Sequence, residues 1–138
     1  MKNKKVILGF ISLGLLLLGL IFYLLLNEDA FVSKIVFDII PIQSFSESNN
    51  AFVKVLRNFG ADFLWSVSFT MIIQIILWLD KKKTFFLLFC SLLGIIYELM
   101  QCFGVAAGTA DILDMIVYVM GSLFAIIIIQ GGKLYEEK

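Results

Sequence analysis

The chain has 138 residues, 61% of them hydrophobic and 16% charged, and its mean hydropathy is +1.00. Soluble domains are roughly 45–50% apolar and about 25% charged, so this composition excludes an ordinary water-soluble globule and points to a single integral membrane domain over residues 1–138. The 11 basic and 11 acidic residues balance, and there is no histidine, which removes the commonest general base, metal ligand and near-neutral pH switch.

Lys2-Asn3-Lys4-Lys5 precedes an unbroken apolar run from Val6 to Leu26. As a helix, residues 6–26 extend about 31 Å, enough to cross a hydrocarbon core of about 30 Å. A basic flank and an apolar run also describe a signal peptide. This run exceeds the usual h-region, however, and Asn27-Glu28-Asp29 follows without a small-x-small cleavage site, which favours an uncleaved anchor. Gly9, Gly14 and Gly19 recur at a spacing that keeps to no single helix face, so they form no dimerisation motif.

Residues 27–61 make the only long polar stretch. Lys34 and Asp38 lie four apart while Phe31, Ile35 and Ile39 share a face, which predicts a short interfacial helix ended by Pro41, with an extended segment as the second choice. Gln43 to Asn50 is rich in Ser and Asn and reads as a loop. From Ala51 to Phe59 the apolar residues Phe52, Val55, Leu56 and Phe59 recur at helical spacing among Lys54, Arg57 and Asn58. This piece is expected on the membrane surface, feeding into the next span.

The second span is predicted over residues 62–79. Asp62 suits an N-cap or first-turn position, and Trp65 and Trp78 mark its two interfaces. Ser66, Ser68, Thr70 and Gln74 give it the most polar interior of the four, as expected of a helix facing protein or a wet cavity. Asp80-Lys81-Lys82-Lys83 makes a tight connection to a third span, 84–103. A Gly104–Gly108 turn leads to the fourth, 111–130, which Gly131-Gly132 stops before a charged tail. Cys90 and Cys102 fall on one helix, about 18 Å apart, too far for a bridge.

Eight basic residues (Lys2, Lys4, Lys5, Lys81, Lys82, Lys83, Lys133, Lys138) flank one side of these spans, against Lys34, Lys54 and Arg57 on the other. The positive-inside rule then places both termini in the cytoplasm and the 27–61 segment outside. The fold class is therefore an all-α membrane protein of four transmembrane helices, with an extracytoplasmic interfacial segment between the first and second.

That topology gathers Asp62, Glu98, Gln101, Asp111 and Asp114 in the outer half of the membrane, with Arg57 approaching as a charge partner. A lipid-facing carboxylate costs about 2.5–3.5 kcal/mol at mid-helix, so three helices bringing acids to one level argues for a protein-enclosed site. Glu98 and Gln101 share a face, and so do Asp111, Asp114, Tyr118 and Gly121. For Asp62 and Asp111 helix capping is as good a reading as binding. Glu98 and Asp114 sit deeper and are expected to bind a ligand or handle protons, whereas Tyr118 and Gly121 read as packing residues. With four carboxylates facing one guanidinium, some are protonated or a cation or cationic ligand joins them. A carboxylate pair with the glutamine could also hold a hard divalent ion, but the acids match no metal motif, and the sequence carries no nucleophile–histidine pair, P-loop or GxSxG; no metal or cofactor is expected, and no basic cluster suggests nucleic acid.

Glu98-x-x-Gln101, a glycine-containing turn, then Asp111-x-x-Asp114-x-x-x-Tyr118-x-x-Gly121 resembles the hairpin motif of VanZ-like membrane proteins, and Asp62-x-x-x-Ser66 falls where that family often has D-x-x-x-H. The resemblance covers about residues 60–125. Gly108, Tyr118 and Ser66 stand where the family has arginine, asparagine and histidine. It implies a bacterial cytoplasmic-membrane protein of the cell envelope, similar to a factor that lowers susceptibility to the glycopeptide teicoplanin. The expected role is to bind or modulate a membrane lipid, a lipid-linked cell-wall precursor or a glycopeptide. Two other roles stay open: a small enzyme on a lipid-linked substrate with Glu98 and Asp114 as acid and base, and a transporter subunit.

Overall fold

The structure is a computed structural model. It describes residues 2–26, 34–35, 38–39, 50–80, 82–106 and 110–131. Among these residues, four helices are long and apolar enough to cross a membrane: α1 (Lys2–Leu26), α2 (Ala51–Leu77), α3 (Thr84–Cys102) and α4 (Ile112–Gly131). The four-span helical bundle expected from the sequence is present. In the segment between α1 and α2, Lys34, Ile35, Asp38 and Ile39 are helical. The rest of the expected interfacial helix, the 43–49 loop, Gly108 and the charged tail lie outside the described residues.

The second span differs from its expected form. Instead of a surface piece followed by a span starting at Asp62, one helix runs from Ala51 to Leu77. The Asn50 side chain caps it, accepting the Phe52 N–H at 2.9 Å. A π turn at Leu56–Gly60 lies within it. One extra residue in a turn offsets the faces before and after it by about 100°. That reconciles the two pieces, for Ala51–Val55 buries nothing while the stretch after the turn buries Ala61, Val67, Ser68, Thr70, Met71 and Gln74. Asp62 therefore follows a π turn and opens no span, and Trp65 lies well inside the helix, away from its start.

α3 is the shortest span, at 19 residues. Its first seven residues, Thr84–Cys90, form a 3-10 helix and the remaining twelve an α-helix. At about 2.0 and 1.5 Å per residue these sum to about 32 Å, so the stretched opening lets a short helix cross a 30 Å core. It starts from the tight Asp80 turn, where the Asp80 carboxylate accepts the Lys83 N–H and its carbonyl accepts the Thr84 hydroxyl. It ends in a Schellman motif: the Val105 N–H donates to Met100 O at 2.8 Å and the Gly104 N–H to Gln101 O at 2.9 Å. Gly104 sits at φ 68°, where a side chain would be strained.

α2 packs against α1, α4 and the opening of α3, and α3 packs along α4. α1 runs antiparallel to α2: the Ser68 hydroxyl donates to Ser12 O at 2.7 Å, and the Trp65 indole lies against Gly19, its N–H reaching Leu16 O at 3.4 Å. Gly9 and Gly19 both face α2, against Ile75 and Trp65, while Gly14 meets nothing within 4 Å, so the three glycines share no single face. α2 and α4 run parallel, Ser66 meeting Tyr118 and Thr70 meeting Ser122, while α3 returns antiparallel to α4 through Gly94 and Tyr118. Small residues at each crossing let backbones approach closely, as membrane helices need in the absence of a water-driven core.

The two ends of the bundle differ in chemistry. The apolar cluster of Leu8, Val67, Met71, Leu87, Ala125, Ile126 and Ile129 occupies the half nearer the Lys82–Lys83 turn. Lys5 lies 4.8 Å over the Trp78 ring at that end. Polar contacts between helices concentrate in the opposite half. Outward-facing Phe10, Leu13, Ile76, Leu93 and Ile127 are exposed along the spans, as lipid-facing positions are.

Candidate functional site

At the end opposite the lysine turn, each acid is positioned by its helix. Counting from the lysine end, Asp62 lies about 22 Å along α2, Glu98 about 25 Å along α3 and Asp114 about 25 Å along α4. Three helices thus carry carboxylates to one level, several ångströms inside the far edge of a 30 Å core.

The carboxylates have different surroundings. The Tyr118 hydroxyl donates to Asp62 Oδ1 at 3.2 Å, tying α4 to α2. Glu98 is 2% exposed and accepts the Asp111 N–H at 3.0 Å, which pins the α3–α4 hairpin. Asp111 in turn caps α4, its Oδ1 accepting the Leu113 N–H at 2.8 Å. Asp114 is half-buried and has no hydrogen-bond partner among the described residues. Asp62, Glu98 and Asp111 are all close enough for their charges to act on it. Gln101 is half-buried three residues beyond Glu98, and Arg57 is half-buried in the π turn five residues before Asp62. No group of three or more acids and thiols is set to hold a metal ion among the described residues.

Beneath the acids lies a hydroxyl network that holds α2 against α4. The Ser66 hydroxyl donates to Tyr118 O at 2.6 Å and lies 3.1 Å from the Ser122 hydroxyl. Thr70 Oγ1 donates to Ser66 O at 2.8 Å and also reaches Ser122 at 3.1 Å. Thr70 and Ser122 are fully buried, so the polar interior of the second span does face protein. Gly121 makes this contact possible, because a Cβ there would stand 2.8 Å from Ser66 Cβ. Tyr118 does more than pack. Its ring lies on Gly94, its carbonyl receives Ser66 and its hydroxyl reaches Asp62.

An apolar groove of about 260 Å³ opens beside this network, between α1 and α3 over the face of α2. Trp65, Phe69 and Ile72 form its floor, Leu16 and Leu93 its walls, and Tyr118 its end. The groove, Gly94 and the roles of Ser122 and the Tyr118 hydroxyl were not singled out from the sequence. The small-residue step Gly121-Ser122, one turn after Tyr118, was the available signal for the α2–α4 contact.

Cys90 and Cys102 are both free thiols, the first half-buried on the groove and the second exposed. No protein-family model, curated protein or solved structure matches the chain.

Proposed function

We propose that the chain is a VanZ-like protein of a bacterial cytoplasmic membrane, with both termini inside and its acids at the outer face. There it engages an amphiphile: a membrane lipid, a lipid-linked cell-wall precursor or a glycopeptide. The observation that carries this reading is Asp114. Asp62, Glu98 and Asp111 each have a hydrogen-bonding duty within the bundle, whereas Asp114 has none among the described residues and faces the other three charges. An acid so placed is stabilised by a cationic or hydrogen-bond-donating ligand arriving from the outer leaflet. Arg57, on the same helix as Asp62, is the positive charge we assign to that end of the bundle.

The acid–base enzyme reading receives less support. Glu98 is almost wholly enclosed and already holds the Asp111 N–H, which is the position of a hairpin clasp. A general acid must reach its substrate.

The test is expression in a teicoplanin-susceptible Gram-positive host. The wild-type chain raises tolerance, and Asp114→Asn loses that tolerance with unchanged membrane level and melting temperature. A variant as protective as wild type, or one that loses only abundance, sinks the proposal.

A further inference from the structure

We infer that the groove between α1 and α3 is a subsite for one acyl chain of a membrane lipid whose head group lies at the Asp62–Asp114 level. For its head-group end the inference rests on the function proposed above. The groove itself stands on independent geometry.

Four observations select this occupant. The lining is almost entirely apolar, and its rim residues Phe69 and Leu93 are 38% and 57% exposed, so the groove opens sideways where hydrocarbon surrounds the bundle. Its volume of about 260 Å³ corresponds to roughly nine groups of water size, which suits a stretch of a single chain. A helix of a second copy, about 10 Å across, would not seat in it. From Trp65 to Ile72 the floor extends about 10 Å along α2, from just below the acids across the middle of the bilayer. That is the direction in which a chain hangs beneath an outer-leaflet head group.

Tyr118 joins the two parts. Its ring lines the groove while its hydroxyl is bonded to Asp62, so a chain that enters the groove from its open side lies directly beneath the acids. Gly94 is what permits the ring to lie there, since a Cβ on Gly94 would overlap the ring atoms. The side of α2 facing α1 is sealed by Trp65, whose indole N–H reaches Leu16 O. A chain therefore enters past Leu93 and Phe69.

The experiment uses the full chain in phosphatidylcholine vesicles containing a small fraction of phosphatidylcholine with a diazirine midway along one acyl chain. Photolysis and peptide mapping then locate the adducts. The inference expects Ile72 and Cys90 to be labelled about tenfold more than the lipid-facing Phe10 and Leu13 of α1, a preference worth about 1.4 kcal/mol. Leu93→Trp, which fills the groove from its exposed rim, should bring Ile72 and Cys90 down to the α1 level. Labelling equal across groove and α1 would mean annular lipid only, and it overturns the inference. So does labelling that appears only on dilution of the protein in the membrane, which would mean that a second copy covers the groove. Uniform labelling alongside loss of tolerance in Asp114→Asn leaves the acidic site standing without the groove. Preferential groove labelling with Asp114→Asn fully protective does the reverse.

Discussion

Replacing Gly121 by alanine places a methyl group into the contact that holds the acid-bearing helices together. The added Cβ would lie 2.8 Å from Ser66 Cβ, 2.9 Å from Phe63 O and 3.0 Å from Ser66 Oγ. Carbon atoms are comfortable at about 3.5–4.0 Å, so the Cβ contact must open by at least about 0.7 Å. Two of the three blocking atoms are a backbone oxygen and a Cβ, which cannot swing aside. Overpacking of this kind costs about 1–3 kcal/mol. That opening also lengthens the 2.6 Å bond from Ser66 to Tyr118 O and draws Tyr118 from Asp62. Gly14→Ala is the matched control: it meets nothing within 4 Å and gains only helix propensity, up to about 1 kcal/mol. Steric trapping in bicelles gives the unfolding free energy of both variants. Because the propensity gain is common to both, Gly121→Ala should fall below Gly14→Ala by about 1–3 kcal/mol. Equal stabilities would refute the parallel α2–α4 contact on which the site depends.

Substitutions at two further positions, Glu98 and Tyr118, separate structural acids from the rest. Glu98→Gln keeps an acceptor for the Asp111 N–H and should cost under about 1 kcal/mol in the same assay, whereas Glu98→Ala leaves that N–H unmet and should cost about 1–3 kcal/mol. Tyr118→Phe removes one interhelical hydrogen bond and should cost about 0.5–1.7 kcal/mol, with the loss vanishing in an Asp62→Ala background.

The sequence made the four spans legible because bilayer thickness and a 3.6-residue repeat leave few alternatives for long apolar runs. The start of α2 was not legible. Residues 51–59 and 62–79 present different faces, and periodicity cannot see that one extra residue in the Leu56–Gly60 turn lets a single helix carry both. The same error put Trp65 at an interface, whereas it packs on Gly19 between α1 and α2. In the site, the sharing of a level by Asp62, Glu98 and Asp114 follows from residue counts along each helix. Their division of labour does not. Glu98 reads as deep and therefore functional, yet its depth serves the Asp111 N–H, a contact between α3 and the start of α4 that no residue spacing announces. Hydroxyls such as Ser122 are equally silent in sequence, since a serine in a span can bond its own helix or a neighbour.

The central claim is that the acidic end of the bundle faces out of the cell. Cys102, exposed at the end of α3 beside Gln101, is a native reporter of it. In intact cells carrying the Cys90→Ser chain, a membrane-impermeant maleimide should modify Cys102 without permeabilisation, while a cysteine placed at Lys83 should react only after it. The opposite pattern would put the acids at the cytoplasmic face and contradict the account.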